Sequence, residues 1–250
     1  MTNNNKITIE LAYLYPKLLN IYGDRGNVLT LLYRCQVRGI DLNVTTVGLD
    51  ESLDYDKFDI YFIGGGQDEQ QVLVSEDLQK RKKDLISAIE KNAVFLAVCG
   101  GYQLLGKYYK TQNGFELKGI EALDLYTVSG NKRMIGNVLC KELEYKGEVI
   151  SPLLVGFENH SGKTYLGTAL KPLAKVIRGG GNNSEDGFEG VRYKNVFGTY
   201  LHGSLLPKNP YLADKFIKLA LERKGLKMPE AKIDDNLENL ARKKAERLTY

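Results

Sequence analysis

The chain has 250 residues, 43% of them hydrophobic and 26% charged, with 35 Lys and Arg set against 31 Asp and Glu. That length fits one large α/β domain with a short appendage, and the apolar share suffices for a core without metals or disulfides. A net charge of +4 with interspersed signs excludes a general nucleic-acid surface, and no apolar run approaches the ~20 residues that span a bilayer.

Met1-Thr2-Asn3-Asn4-Asn5 lacks the charged and apolar regions of a secretory leader, and the three cysteines show neither CxxC nor regular spacing. A cytoplasmic setting fits both. Residues 7–11 alternate and predict a first strand, closed by Pro16. The cluster Tyr22-Gly23-Asp24-Arg25-Gly26 predicts a loop. Val28, Leu31, Leu32 and Cys35 then share a helical face, with Gly39 as the stop. Leu42, Val44 and Thr46 predict a second strand, and residues 58–63 a short apolar one running into Gly64-Gly65-Gly66. A charged helix is expected over 76–91, with Lys80-Arg81-Lys82-Lys83 forming a solvated face. Residues 93–98 read as a fully buried strand ending at Cys99, followed by a helix over 101–109. From 115 to 200, glycines and short β-rich segments predict antiparallel strands or hairpins on the sheet's edge. Leu212, Phe216, Leu219 and Ala220 mark a helix over 210–224, and the charged tail predicts a terminal helix. Strand alternating with helix in the first half predicts a three-layer α/β fold, a mostly parallel sheet with helices on both faces. The chain divides into a domain over 1–225 and a helical tail over 226–250.

In open α/β sheets, ligands sit beyond the carboxyl ends of the strands, which directs attention to Gly64-Gly65-Gly66-Gln67 and Cys99-Gly100-Gly101. Ala97-Val98-Cys99-Gly100-Gly101 puts a thiol at a strand-to-helix turn, where small neighbours let the chain bend and push the side chain out. A helix amino terminus there would favour the thiolate, and the Gly100 N–H could meet an oxyanion. A packing cysteine needs no pair of following glycines, so Cys99 is the candidate nucleophile, whereas Cys35 and Cys140 read as packing residues. The base is one of two histidines. His202 lies in Gly198-Thr199-Tyr200-Leu201-His202-Gly203, and His160 in a predicted loop, Gly156-Phe157-Glu158-Asn159-His160-Ser161-Gly162; spacing alone leaves both open. Gly156 through Gly162-Lys163-Thr164 is close to a phosphate-binding loop, but five residues separate its glycines rather than four, and Phe157 and Glu158 do not suit a phosphate.

Cys99-Gly100-Gly101-Tyr102-Gln103-Leu104-Leu105-Gly106 and the two histidine segments together resemble the cobyric acid synthase-like branch of class I (triad-type) glutamine amidotransferases. The three motifs span most of the chain. The resemblance implies the three-layer fold, a Cys99–His202 pair that hydrolyses L-glutamine, and His160 as a loop-organising residue. Tyr15-Pro16-Lys17-Leu18-Leu19-Asn20-Ile21-Tyr22-Gly23-Asp24-Arg25-Gly26-Asn27 and Gly64-Gly65-Gly66-Gln67-Asp68-Glu69-Gln70 carry a narrower resemblance, to the glutaminase subunits of lipid II isoglutaminyl synthase. It implies a heterodimer with a Mur-ligase-like (MurT-type) synthetase, which holds ATP and Mg and amidates the D-glutamate of the peptidoglycan stem. This chain would then carry no cofactor or metal, insert in no membrane, and reach the lipid-linked substrate through its partner.

Within that scheme Gly65, Gly66 and Gly100 are the expected oxyanion hole, being free of Cβ atoms. Arg133, in Gly130-Asn131-Lys132-Arg133-Met134-Ile135-Gly136, matches the position that holds the substrate carboxylate, which a forked guanidinium suits. Gln67 and Gln103 are expected to touch substrate. Two positions depart from the pattern: Ala97 replaces a common glycine, and Ser204 stands where many relatives place an acid. The third triad member is then absent, replaced by another acid, or supplied by the partner, with Asp24 and Arg25 expected to organise a loop or partner surface. The alternatives are a subunit for another ligase, such as cobyric acid-type a,c-diamide chemistry, a stand-alone cysteine hydrolase, and a non-catalytic binding subunit.

Overall fold

A computed structural model of the protein describes residues 6–148 and 153–248; the amino-terminal reading of residues 1–5 lies outside the described residues. The first half runs β1 (Thr8–Leu14), a 3-10 turn (Ile21–Gly23), α1 (Arg25–Val37), β2 (Asp41–Val47), β3 (Ile60–Ile63), α2 (Asp68–Glu90), β4 (Val94–Val98) and α3 (Gly100–Leu104). There follow β5 (Tyr108–Lys110), β6 (Glu116–Lys118), β7 (Leu125–Glu142), β8 (Leu154–Leu166), β9 (Ala174–Arg178) and β10 (Phe188–Glu189). The chain closes with β11 (Val191–Tyr193), β12 (Val196–Thr199), α4 (Leu205–Lys208), α5 (Pro210–Arg223) and α6 (Asn236–Arg247).

The first sheet has the order β11-β12-β4-β3-β1-β2. All its pairings are parallel except β11 with β12. Because β3 and β4 are covered on both faces, every residue of both is buried, which is why their sequences are apolar throughout instead of alternating. Tyr61 and Phe95 stack across these two strands with centroids 4.5 Å apart. The β1–α1–β2 crossover moves one way along the sheet and β3–α2–β4 the other. Right-handed connections therefore place α1 and α2 on opposite faces, and a crevice opens between β1 and β3 where the direction reverses.

The structure corrects several expectations. The stretch from β5 to β10 does not extend the edge; it builds a second six-stranded sheet, with β8 paired to β7, and the β11–β12 hairpin then joins the edge of the first sheet with β12 parallel to β4. The predicted loop at residues 156–162 lies inside β8, so the phosphate-loop likeness has no loop to act with. Arg25 and Gly26 already belong to α1. Helix α2 begins at Asp68, because Gln67 is extended and two acids in the first turn complement the helix dipole. Its basic run is not one solvated face, since Arg81 is buried and donates to Asp77, which also accepts from the Tyr15 hydroxyl. The helix after Cys99 stops after five residues, because the carbonyls of Leu104, Leu105 and Gly106 accept N–H groups from Ile120, Leu123 and Glu121 instead of continuing the helix.

The tail helix α6 lies against α4 and β8. Arg34 of α1 is buried and donates at 2.6 Å to both Asp214 of α5 and Asp235 just before α6. Arg178 donates to the carbonyls of Ala245 and Glu246 at the far end of that helix. A buried guanidinium between two carboxylates becomes costly once it is removed and the acids are left facing each other. Arg34→Ala is expected to lower the unfolding free energy by about 3–5 kcal/mol, read as a drop in the urea midpoint, with limited proteolysis opening α6 first.

Candidate active site

Four strand ends of the first sheet converge on the crevice, each delivering one part of a site. Cys99, directly after β4, has φ 50° and ψ −107°, a region that a residue with a Cβ occupies only under constraint. The constraint comes from hydrogen bonds on both sides: Cys99 N–H donates to Thr199 O at 2.9 Å, and Gly101 N–H to Gly64 O at 3.1 Å. The two glycines that follow are required by space. A Cβ on Gly100 would lie 2.8 Å from the Gln71 side chain, and one on Gly101 would lie 2.8 Å from the Ile63 carbonyl. The thiol is thus lifted off the strand end at the floor of the crevice, 8% exposed. With α3 only five residues long, the helix dipole is a small influence on the sulfur.

His202 follows β12 and is fully buried. Its backbone is bridged to Phe157 of β8, which fixes the ring's root. One carboxylate stands beside it: Asp24 Oδ1 is 3.6 Å from His202 Nδ1, and Asp24 is itself fully buried. Burial alone would strip the proton from this imidazole, but the Cys99 sulfur and the Asp24 carboxylate outweigh it and push its pKa up to about 10. With Nδ1 turned to Asp24, Nε2 is the nitrogen available to the sulfur side. An imidazole raised this way binds its proton more tightly folded than unfolded. Its contribution to stability is full below the ordinary value of 6.5 and is lost as pH rises through about 10.

Asp24 was expected only to organise a loop or partner surface; the structure puts it at the imidazole. No spacing could reveal this, because 178 residues separate it from His202 in the chain. The available signal was positional, an acid in the connection between β1 and α1, at the crevice. Ser204, where the resemblance led one to look for an acid, has φ 45° and donates its hydroxyl to Gly23 O. It pins the turn that carries Asp24, and Gly26 gives it room, since a Cβ there would lie 2.1 Å from Ser204 Oγ.

The glycine loop after β3 closes the other side. A Cβ on Gly65 would lie 3.0 Å from His202 Cε1 and 3.1 Å from Cys99 Cβ, so only glycine fits between the thiol and the imidazole. Its N–H, however, donates to Asp24 Oδ2 at 2.8 Å. Gly65 is therefore not a free oxyanion donor in this arrangement, which corrects that expectation. Among the described residues the N–H groups of Gly66 and Gly100 have no such partner.

A cavity of about 440 Å³ opens above Cys99, walled by Gly66, Gln67, Gln103, Arg133 and His160 among others. Arg133, on the β7 stretch where the register with β8 shifts, donates through Nε to Asn159 Oδ1 at 2.5 Å. Gln103 is buried and donates to the Tyr200 hydroxyl, while Gln67 lies exposed at the rim. His160 belongs to β8, not a loop, and its buried ring stacks on Tyr200 with centroids 3.6 Å apart. Burial lowers its pKa despite Glu158 nearby, so it is neutral and its Nδ1 is committed to Gly162 O. Cys35 and Cys140 are buried away from the crevice, and burial pushes the Cys35 thiol up to about 12.

Missed by sequence reasoning was also Glu189, a fully buried carboxylate. It accepts from the Thr199 hydroxyl and the Tyr200 N–H, and so holds the segment leading to His202.

A sequence model of the CobB/CobQ-like glutamine amidotransferase domain matches residues 10–210. The GatD subunit of lipid II isoglutaminyl synthase (glutamine-hydrolyzing) from Staphylococcus aureus is 43% identical over 222 residues, 88% of this chain and 87% of that subunit. The corresponding subunit from Streptococcus pneumoniae is 40% identical over 88% of this chain and 84% of its own length. A crystal structure of a glutamine amidotransferase from Thermotoga maritima superposes with a TM-score of 0.54 over 96% of this chain and 90% of that one. Identity there is 15%, a likeness of fold.

The two histidines can be followed separately by NMR. His202 is expected to stay protonated at pH 8 while His160 is neutral. Asp24→Asn should move the His202 midpoint to lower pH and slow iodoacetamide capture of Cys99 at neutral pH about tenfold. A midpoint and a capture rate that both stay where they were would remove Asp24 from the electrostatics of the base.

Proposed function

This chain belongs to the CobB/CobQ-like glutamine amidotransferase family, and from that premise we propose that it is the glutamine-hydrolysing subunit of a lipid II isoglutaminyl synthase. It releases ammonia from L-glutamine and passes it to an ATP-dependent, Mur-ligase-like synthetase, with which it forms a heterodimer. That partner amidates the D-glutamate of the lipid II stem peptide. The observation that carries the reading is the strained Cys99 at the end of β4, with His202 and Asp24 beside it under a cavity sized for an amino acid. Among the described residues no helix is long and apolar enough to cross a membrane, consistent with a lipid-linked substrate met through the partner.

The sulfur of Cys99 attacks the carboxamide carbon of glutamine, and the carbonyl oxygen becomes an oxyanion facing the N–H groups of Gly66 and Gly100. His202, protonated at neutral pH, gives its proton to the departing nitrogen, so ammonia leaves and a γ-glutamyl thioester remains. The imidazole, now neutral, takes a proton from water as that water attacks the thioester. Glutamate leaves and the thiolate–imidazolium pair is restored. Asp24 keeps Nδ1 protonated and aimed, the part the third acid of a triad performs. Arg133 receives the α-carboxylate, one guanidinium edge being steadied by Asn159.

Purified protein, alone or with the synthetase subunit added, should liberate ammonia from L-glutamine, and Cys99→Ala should lower turnover by about 10⁴-fold or more. An intact pair of subunits that makes no ammonia would defeat the glutaminase reading; ammonia without amidated lipid II would leave the glutaminase and reassign its acceptor. Arg133→Ala should raise KM for glutamine about ten- to a hundredfold with kcat little changed, because it removes a charged contact made equally to bound substrate and transition state.

A further inference from the structure

The cavity above Cys99 is not charge-balanced. Among the described residues its walls carry two carboxylates, Asp68 and Glu69, in the first turn of α2, and one Lys or Arg side chain, Arg133, on β7. Gln71 and Gln103 also line it, each with a carbonyl oxygen that has no partner among the described residues. Arg133 accounts for the carboxylate of an amino-acid substrate. The excess of acceptors calls for a cation.

Of the two acids, Asp68 is the one held in place. Tyr109 of β5 is 2% exposed and donates its hydroxyl to Asp68 Oδ1 at 3.3 Å. Burial, followed by the Asp68 charge, pushes the Tyr109 pKa up to about 12, so the hydroxyl remains a donor at all physiological pH. Asp68 makes no ion pair with Lys or Arg among the described residues. One carboxylate oxygen is thus tethered by a buried phenol, and the side chain is exposed at the cavity wall. An acid serving only the helix dipole needs no buried donor to fix its rotamer.

We propose that the Asp68 carboxylate binds the α-ammonium of the substrate, across the cavity mouth from Arg133, and that Tyr109 positions it. This rests on the glutaminase reading above. Asp68 and Arg133 are both exposed at the mouth while Cys99 sits at the floor. A glutamine enters carboxamide first and leaves its zwitterionic head between one cation and one anion. The arrangement selects an α-amino acid over an otherwise identical amide that lacks the ammonium group.

The test is saturable alkylation of Cys99 in the full-length protein by the glutamine analogue diazo-oxo-L-norleucine, followed by intact mass, with L-glutamine and glutaramate as protecting ligands. Glutaramate is glutamine without the α-ammonium. The half-saturating concentration should rise about ten- to a hundredfold in Asp68→Asn, with the limiting alkylation rate within about twofold of wild type. Tyr109→Phe should give a smaller rise of the same kind. Glutaramate should protect the wild type much more weakly than L-glutamine, and protect Asp68→Asn as well as it protects the wild type. Unchanged half-saturation in Asp68→Asn, or glutaramate protecting the wild type as well as glutamine does, would overturn the proposal. A wild type that shows no saturable alkylation, either alone or with the synthetase subunit added, would instead bring down the glutaminase reading on which the proposal stands.

Discussion

One buried carboxylate joins the parts of this site. Asp24 reaches the Gly65 N–H with one oxygen and stands beside the His202 imidazole with the other. A fully buried acid is costly without partners, and these two meet that cost while setting the spacing between the glycine loop and the base. The turn bearing Asp24 is in turn pinned by Ser204, two residues beyond the imidazole, through its bond to Gly23 O. Base, acid and loop therefore move as one body, which suits a site that must hold its groups in place before substrate arrives.

The strain at Cys99 belongs to the same design. A left-handed backbone at a residue with a side chain costs about 1–3 kcal/mol, and it survives because β3, β4 and β12 over-determine the turn from both sides. Gly65, Gly100 and Gly101 surround it because each would otherwise put a Cβ into an occupied space. The result is a thiol raised above a rigid sheet, with the His202 imidazole beside it and only a short helix behind it.

The second sheet supplies much of the cavity wall. β7 carries Arg133, β8 carries Asn159 and His160, and β5 carries Tyr109. The stacking of His160 on Tyr200 and the Tyr200–Gln103 bond tie this wall to the nucleophile's own helix. The cavity wall supplied by one sheet is thereby registered against Cys99 and His202 at the strand ends of the other.

Local chemistry was enough to identify much of this. The buried strands 60–63 and 94–98 are legible because unbroken apolar runs have one use in an α/β protein, and Cys99 because two glycines after a thiol have one steric reason. His202 needed the resemblance to relatives, since an isolated imidazole carries no signal of its own. Asp24, Tyr109, Glu189 and the committed Gly65 N–H were invisible, as was the second sheet's independence from the first. Such facts depend on which loops meet, and side-chain contacts between separate elements, from 10 positions apart for Glu189 and Thr199 to 41 for Asp24 and Gly65, leave no periodicity to read. Sequence determined most elements and singled out Cys99; the meeting of strand ends at one crevice decided which carboxylate stands at the His202 imidazole, which backbone donors stay free, and which side chains line the cavity.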